Sequence, residues 1–118
     1  MGKHNDLGRN GEILAVQFLK DKGHFILQTN YRSTHKEIDI ISLEKDVLVF
    51  SEIKTRSSFR MGFPEEAVTR RKQNLLKAAA TDFLESHPGY QKIRFDVISI
   101  LTKNKRIGEI RHFEDAFY

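Results

Sequence analysis

The chain has 118 residues, a length that fits one domain and leaves little room for a second. Hydrophobic residues make up 39% and charged residues 31%, which is typical of a folded, soluble protein rather than a disordered one. There are no cysteines, so disulfides and cysteine-ligated zinc are excluded. The net charge of +4 suits a polyanionic partner, and no stretch is long and apolar enough for a signal peptide or membrane span. The cytoplasm is therefore the expected location.

The hydrophobic pattern predicts helices and strands within a single domain, residues 1–118. The first helix runs from about Asp6 and stops at Gly23, a usual helix terminator. The second helix is predicted to begin at Pro64 and to continue to about Ser86. Strands are predicted at residues 25–31, 37–43, 47–55, 92–101 and 107–113. The order α-β-β-β-α-β-β predicts an α/β fold, in which helices flank one mixed sheet of about five strands.

The second and third strands carry charged side chains that one hairpin register would bring together. A turn centred between Lys45 and Asp46 places Asp39 directly opposite Glu52, with Lys54 on the same face. A shift of one residue would turn Asp39 away from Glu52 and remove the site. Two carboxylates placed opposite each other repel, and a bound divalent cation would relieve that repulsion. Oxygen ligands in a chain without cysteine favour Mg²⁺ or Mn²⁺.

The same alternation of faces has two interpretations that the spacing alone leaves equal. It puts Glu37 beside Asp39 and gives Ile38 and Ile40 the other face. Glu37 then lies opposite Lys54. One interpretation is a metal site, and the other is a cross-strand network in which Glu37 pairs with Lys54 and Asp39 pairs with a nearby arginine.

Glu12 is the candidate for a third acid. It lies at helical spacing from Gly8, Ala15 and Leu19, at the edge of a buried helix face. A carboxylate there lies at a surface edge, forms a salt bridge or binds the same metal ion.

Other polar residues receive plainer interpretations. Arg94 and Asp96 are expected to form a structural pair on the fourth strand. The histidines show no ligand spacing and are expected to be surface or turn residues: His4, His24, His35, His87 and His112.

Taken in order, the motifs resemble a known superfamily. Glu12 on a helix, Ile38-Asp39 on strand two and Glu52-Ile53-Lys54 on strand three resemble the PD-(D/E)xK nucleases. The chain is more closely similar to the YraN-like family of small bacterial proteins, which are related to archaeal Holliday-junction resolvases. Two departures stand out, because Ile38 replaces the superfamily's proline and Lys36 replaces an expected glycine and charges the mouth of the site. Matching stretches cover nearly the whole chain: residues 8–12, 30–32, 37–41, 49–56, 72–73, 94–97 and 116–117.

The resemblance implies a restriction-endonuclease-like fold and a metal-dependent endonuclease that hydrolyses phosphodiester bonds in DNA, with branched or junction DNA as a candidate substrate. Asp39 and Glu52 would bind Mg²⁺ or Mn²⁺, with Glu12 as a further metal ligand. Lys54 would orient the attacking water and stabilise charge in the transition state. The alternative is a nucleic-acid-binding module of the same fold that cuts little or not at all. Contacts to nucleic acid, DNA rather than RNA, are expected from Arg9, Arg32, Arg56, Lys72 and Gln73.

Two further features have open interpretations. Arg70 and Arg71 are either phosphate contacts or the solvated face of the second helix. A homodimer is expected by analogy, since resolvases of this superfamily act as dimers on a symmetric junction. The apolar residues near the C-terminus, Phe113, Ala116 and Phe117, either form such a dimer face or close the core.

Overall fold

Five strands form one mixed sheet, with a helix packed on each of its faces. The computed structural model of the chain describes residues 3–56, 68–104 and 106–117, with side chains from residue 10 onward. Within these ranges the order α-β-β-β-α-β-β confirms the predicted α/β architecture and is consistent with a restriction-endonuclease-like fold. Neither helix in the described ranges is long and apolar enough to cross a membrane. The helices are α1 (Lys3–Asp21) and α2 (Arg70–Ser86), and the strands are β1 (Phe25–Arg32), β2 (Glu37–Glu44), β3 (Val47–Arg56), β4 (Lys92–Lys103) and β5 (Arg106–Phe117).

The strands lie side by side in chain order, β1-β2-β3-β4-β5. Three of the neighbouring pairs are antiparallel, and β3 and β4 are parallel. Parallel neighbours need a crossover connection, and the one between β3 and β4 contains α2. The crossover places α2 over one face of the sheet and leaves the other face to α1.

The sheet divides the buried side chains into two cores. The α2-side core contains Phe50, Phe83 and Val97, and the α1-side core contains Leu19 and Ile98. Successive residues of β4 thus alternate between the cores, as expected for a strand that is covered on both faces. The C-terminal apolar residues close the α2-side core: Phe113 and Ala116 pack against it, and the Phe117 ring stacks on Phe95 with 5.1 Å between centroids.

The second helix begins later than its sequence pattern indicated. α2 starts at Arg70, and Val68 and Thr69 are not helical, so the prediction of one continuous helix through these residues is wrong; Pro64 itself lies outside the described residues. Thr69 has extended backbone angles, φ −63° and ψ 161°, and its hydroxyl accepts a hydrogen bond from the Lys72 N–H at 3.2 Å. A threonine in this role satisfies a backbone donor that the first helical turn leaves free, so it sets the start of the helix.

The alternation of faces in β2 breaks at Asp39. Ile38 belongs to the α2-side core and Ile40 to the α1-side core, so the prediction that they share a face is wrong. In β1, Asn30 lies between the residues that pair with Ile38 and Ile40, and its φ of 53° is left-handed. Regular alternation requires extended backbone, which Asn30 does not have. The sheet is therefore irregular at the level of Asp39.

Candidate active site

The β2–β3 hairpin has the register that the metal-site hypothesis requires. Ile40 pairs with Ser51, and the pairing continues to Glu44 with Val47. Lys45, in the two-residue turn, has a φ of 55°, which tight hairpin turns of this kind need. The predicted centre of the hairpin is confirmed.

Beyond the Ile40–Ser51 pair, the Asp39 side chain connects β2 to β3. The Asp39 Oδ2 atom accepts a hydrogen bond from the Ile53 N–H at 2.7 Å. A backbone donor that would otherwise face a neighbouring strand is thus satisfied by a carboxylate. This bond holds the Asp39 carboxylate beside the residue that follows Glu52.

Glu52 is a buried carboxylate with one oxygen paired and one not. Its exposed fraction is 6%. The Oε1 atom lies 3.7 Å from Lys36 Nζ and 3.8 Å from Lys54 Nζ. The Oε2 atom is buried and has no hydrogen-bond partner in the described structure. A buried acceptor without a partner costs roughly 1–3 kcal/mol, more if charged, so Oε2 is a ready ligand for a cation.

The electrostatics of Asp39 agree with a cation site. Burial and, next, the negative charge of Glu52 raise the pKa of the Asp39 carboxyl to about 6, against the lowering effects of the Ile53 N–H and Lys36. Burial and a neighbouring carboxylate both disfavour the ionised form, and a bound divalent cation reverses both effects. The residues therefore fit a hard cation held by two carboxylates. In the described ranges, no group of three or more His, Cys, Asp or Glu side chains is placed to hold a metal ion.

Lys54 lies between the acids and helix α2. Burial lowers the pKa of the Lys54 ammonium, a hydrogen bond with the Lys72 side chain lowers it further, and Glu52 acts in the opposite direction. Lys72 belongs to the first turn of α2, so the crossover helix reaches the site directly. Two lysines and the positive end of a helix dipole thus meet beside Glu52.

The Glu12 side chain contacts strand β1. Its Oε1 atom accepts a hydrogen bond from Asn30 Nδ2 at 2.6 Å. Phe50 faces α2, and by the alternation along β3 Glu52 and Lys54 lie on the same side of the sheet. α1 packs on the opposite face. Glu12 therefore approaches β1 at the level of Asp39, and its role as a metal ligand stays a prediction.

The alternative ion-pair network is not formed as predicted. Glu37 Oε2 lies 3.4 Å from the Nε atom of Arg32, whereas Lys54 pairs with Glu52. Asp39 is held by a backbone N–H. The expectation that Glu37 pairs with Lys54 is therefore wrong, because Glu37 pairs with Arg32 on the adjacent strand β1.

The residues expected to contact nucleic acid lie in different surroundings. The Arg32 side chain is 86% exposed, and its Nε atom pairs with Glu37. The Nε atom of Arg56 is buried without a hydrogen-bond partner in the described structure. The Gln73 amide donates to the Val68 carbonyl at 2.9 Å, which supports the residues before α2. Arg9 lies in α1, and its side chain is outside the described part.

Sequence reasoning missed two members of the site. Lys36 was expected only to charge the mouth, yet its ammonium is an ion-pair partner of Glu52. Ser99 pairs with Lys54 across the parallel β3–β4 ladder, and its buried hydroxyl has no partner in the described structure. The register of a parallel pair depends on the crossover, so no local sequence signal could have identified Ser99.

A second charged cluster lies on the α1 side of the sheet. The Asp96 carboxylate accepts hydrogen bonds from Arg94 at 2.8 and 2.9 Å and lies 2.7 Å from His112 Nε2. Arg94 also donates to Glu44 at 3.0 Å, and His24 lies 3.3 Å from Glu44. The Arg94–Asp96 pair is confirmed. The expectation of surface histidines is wrong for His24 and His112, whose side chains are 0% and 2% exposed. Each has a buried polar partner, Ser42 for His24 and Asp96 for His112.

Comparisons with known proteins identify relatives over nearly the full length. A model of the family described as "Uncharacterised protein family UPF0102" matches residues 11–100. A UPF0102 protein of Flavobacterium psychrophilum is 45% identical over 118 residues, which cover 100% of this chain and 98% of the relative. A UPF0102 protein of Chlorobium phaeobacteroides is 50% identical over 111 residues, or 93% and 88% of the two chains. One of Syntrophomonas wolfei is 44% identical over 115 residues, or 97% and 99%.

Proposed function

As this chain belongs to the uncharacterised protein family UPF0102, we propose that it is a divalent-metal-dependent endonuclease that hydrolyses phosphodiester bonds in DNA. Membership of the family confirms the resemblance to YraN-like proteins. The activity is a proposal that rests on the site.

One observation carries the proposal. Glu52 is buried with an unpartnered Oε2 atom, next to Asp39, whose carboxyl group is itself desolvated, and to Lys54. A fold does not gain stability from two buried acids whose oxygens are partly unsatisfied. The arrangement is explained if the acids exist to bind a cation.

Each side chain has a role in phosphodiester hydrolysis. Asp39 and Glu52 would hold the cation, Mg²⁺ or Mn²⁺, and Glu12 remains a further candidate ligand. A divalent ion bound there supplies charge neutralisation at the phosphoryl oxygens and activation of water. Lys54 places positive charge where the phosphorus centre gains negative charge, while the P–O bond to water forms and the bond to the leaving oxygen breaks. The attacking water releases a proton to solvent as its bond to phosphorus forms, and the leaving oxygen takes up a proton from solvent.

The first turn of α2 supports a polyanionic substrate. It contains Arg70, Arg71 and Lys72 and no acidic residue. Cations at a helix N-terminus oppose the helix dipole, so they reduce the stability of the helix. A phosphate group placed there would pair with both the dipole and the side chains. The link from Lys72 to Lys54 connects this basic turn to the acids.

The alternative function, binding without cleavage, is favoured by a different observation. The ammonium groups of Lys36 and Lys54 both pair with Glu52, so a metal ion is not required to balance the charge of this carboxylate. A protein that keeps the fold and the basic surface could therefore bind DNA without using a metal ion.

A cleavage assay separates the two functions. Labelled single-stranded, duplex, flap and four-way-junction DNA would each be incubated with the protein in Mg²⁺, Mn²⁺ or EDTA. We expect metal-dependent cleavage by the wild type, and at least a hundredfold loss in Asp39→Asn and Lys54→Met. Asp46→Asn removes an exposed acid at the far end of the hairpin and serves as the matched control.

The outcomes are distinct. Equal cleavage by the wild type and both site variants would mean a contaminating nuclease, and the enzyme proposal would fail. Equal DNA binding with no cleavage in any metal would establish the binding module instead.

A further inference from the structure

Lys36 is held in place at the edge of the candidate site. It lies between β1 and β2, where its N–H donates to the Ser33 hydroxyl and its carbonyl accepts from the Ser33 N–H, both at 3.3 Å. These two bonds fix the backbone of the turn. The side chain is 24% exposed, and its ammonium lies 3.7 Å from Glu52 Oε1.

The ammonium of Lys36 and a divalent cation would compete for the same carboxylate. Lys54 already places one ammonium 3.8 Å from Glu52 Oε1, so a single carboxylate oxygen has two cations beside it. These two ammonium groups already offset the negative charges of Asp39 and Glu52. Adding two further positive charges within a few ångströms of Lys36 makes its position unfavourable.

Lys36 is better placed to move than Lys54. Lys54 lies beside Lys72 of α2 and is on the same strand as Glu52. Lys36 is on a turn outside the strands, and a lysine stem can carry its charge from a buried carboxylate to the surface without moving the backbone. Its compact charge suits a phosphate group.

We propose that Lys36 exchanges partners, holding Glu52 in the absence of a divalent cation and contacting a backbone phosphate of the nucleic acid once the cation is bound. This inference rests on the proposed function. It makes Lys36 a residue that couples metal binding to substrate binding, and such a coupling is reciprocal.

The first test measures Mn²⁺ affinity of the full chain by calorimetry, without nucleic acid. Lys36→Met removes the competing ammonium and keeps the length of the side chain. We expect it to bind Mn²⁺ at least threefold more tightly than the wild type. Lys45→Met, an exposed lysine in the hairpin turn, is the matched control and should leave the affinity unchanged.

The second test measures binding of a labelled DNA duplex by fluorescence anisotropy, in EDTA and in Mn²⁺, with the intact duplex checked on a gel. Mn²⁺ should tighten DNA binding of the wild type. We expect this gain to be at least threefold smaller in Lys36→Met and to be restored in Lys36→Arg. Lys36→Gln serves as a second neutral variant if Lys36→Met fails to fold.

Each outcome decides one part of the inference. Unchanged Mn²⁺ affinity in both neutral variants would overturn it while leaving the metal site intact. Tighter Mn²⁺ binding with an unchanged gain in DNA affinity would overturn the phosphate contact. If the wild type binds no more Mn²⁺ than Asp39→Asn does, the proposed function fails and this inference fails with it.

Discussion

The ionised carboxylate of Asp39 reduces the stability of the protein when no cation is bound. Its pKa is raised to about 6 in the folded chain, above the ordinary 3.8. The free energy of unfolding therefore falls as pH rises from 3.8 to about 6, and the full destabilisation is present above about pH 6. A shift of this size corresponds to about 3 kcal/mol.

We predict that Asp39→Asn is more stable than the wild type in EDTA, by roughly 1–2 kcal/mol at neutral pH. The asparagine oxygen can still accept the Ile53 N–H, but it brings no charge into the site. Urea unfolding at neutral pH measures the gain, and repetition at about pH 4 should show it shrinking. Asp46→Asn controls for loss of an exposed acid, and an Asp39→Asn variant no more stable than wild type would contradict the prediction.

At the scale of elements, the Asp96 cluster joins β4 to its neighbours. Asp96 is fully buried and is bonded to Arg94 on its own strand and to His112 on β5. Hydrogen bonds from these two residues lower the pKa of the Asp96 carboxyl to about 2, against the effect of burial, which is the largest. The cluster therefore adds stability above the ordinary pKa of 3.8, and that stability is lost as pH falls toward 2.

We predict that Asp96→Asn lowers the free energy of unfolding by about 3 kcal/mol, because Arg94 stays partly buried without its carboxylate. Urea unfolding at neutral pH measures the loss. At about pH 2.5 the difference from the wild type should be much smaller. A neutral-pH loss no greater than that of Asp46→Asn would show that the cluster does not stabilise the sheet.

The first turn of α2 is expected to contribute to DNA binding separately from the two acids. We predict that the double variant Arg70→Gln, Arg71→Gln binds DNA more weakly, with the salt dependence of log affinity reduced by about 2. The same change removes two cations from a helix N-terminus, so the helix should gain a few tenths of a kcal/mol per residue. Anisotropy titrations over a range of salt measure the slope. The pair Lys20→Gln, Lys45→Gln removes the same charge elsewhere, and an equal effect there would contradict a local role.

The hairpin could be predicted from sequence because its determinants are local. A two-residue turn and a period of two place Asp39 at the level of Glu52 without any knowledge of the rest of the fold. Pro64 indicated a helix start in the same way, but the residue that caps α2 is Thr69. Propensity indicates where a helix can begin. The hydrogen bond between the capping side chain and the first helical turn decides where the helix does begin.

The contacts that sequence could not supply are those made between distant elements. Ser99 reaches Lys54 only through the parallel register, and His112 reaches Asp96 only because β5 folds back along β4. The irregularity at Asp39 depends on Asn30 in another strand. None of these contacts follows from a regular spacing of residues along the sequence.

At the scale of the whole molecule, the two faces of the sheet have different tasks. The α1 side contains charges that satisfy one another, as in Asp96 with Arg94. The α2 side carries charges that leave Glu52 Oε2 without a partner. The paired charges of the α1 side therefore stabilise the sheet, whereas the proposed ligand site lies on the α2 side.

We predict that Mn²⁺ raises the free energy of unfolding of the wild type by about 2.7 kcal/mol at a hundred times its dissociation constant. Thermal or urea unfolding of Asp96→Asn should show the same gain from a lower starting point, since that variant keeps the α2-side acids. Glu52→Gln should show none. A gain in Glu52→Gln equal to that of the wild type would place the metal ion elsewhere.

The parallel pairing of β3 with β4 has a consequence for the order of events during synthesis. The hairpin of β2 and β3 consists of near neighbours in sequence and can form soon after it leaves the ribosome. Glu52 and Lys54, however, gain their second flanking strand only when Val97 and Ser99 have been made and the crossover has closed. A nascent chain that ends before β4 thus contains the acidic residues without the strand that helps to bury them. The proposed cation site between buried acids therefore forms only after β4 has been synthesised.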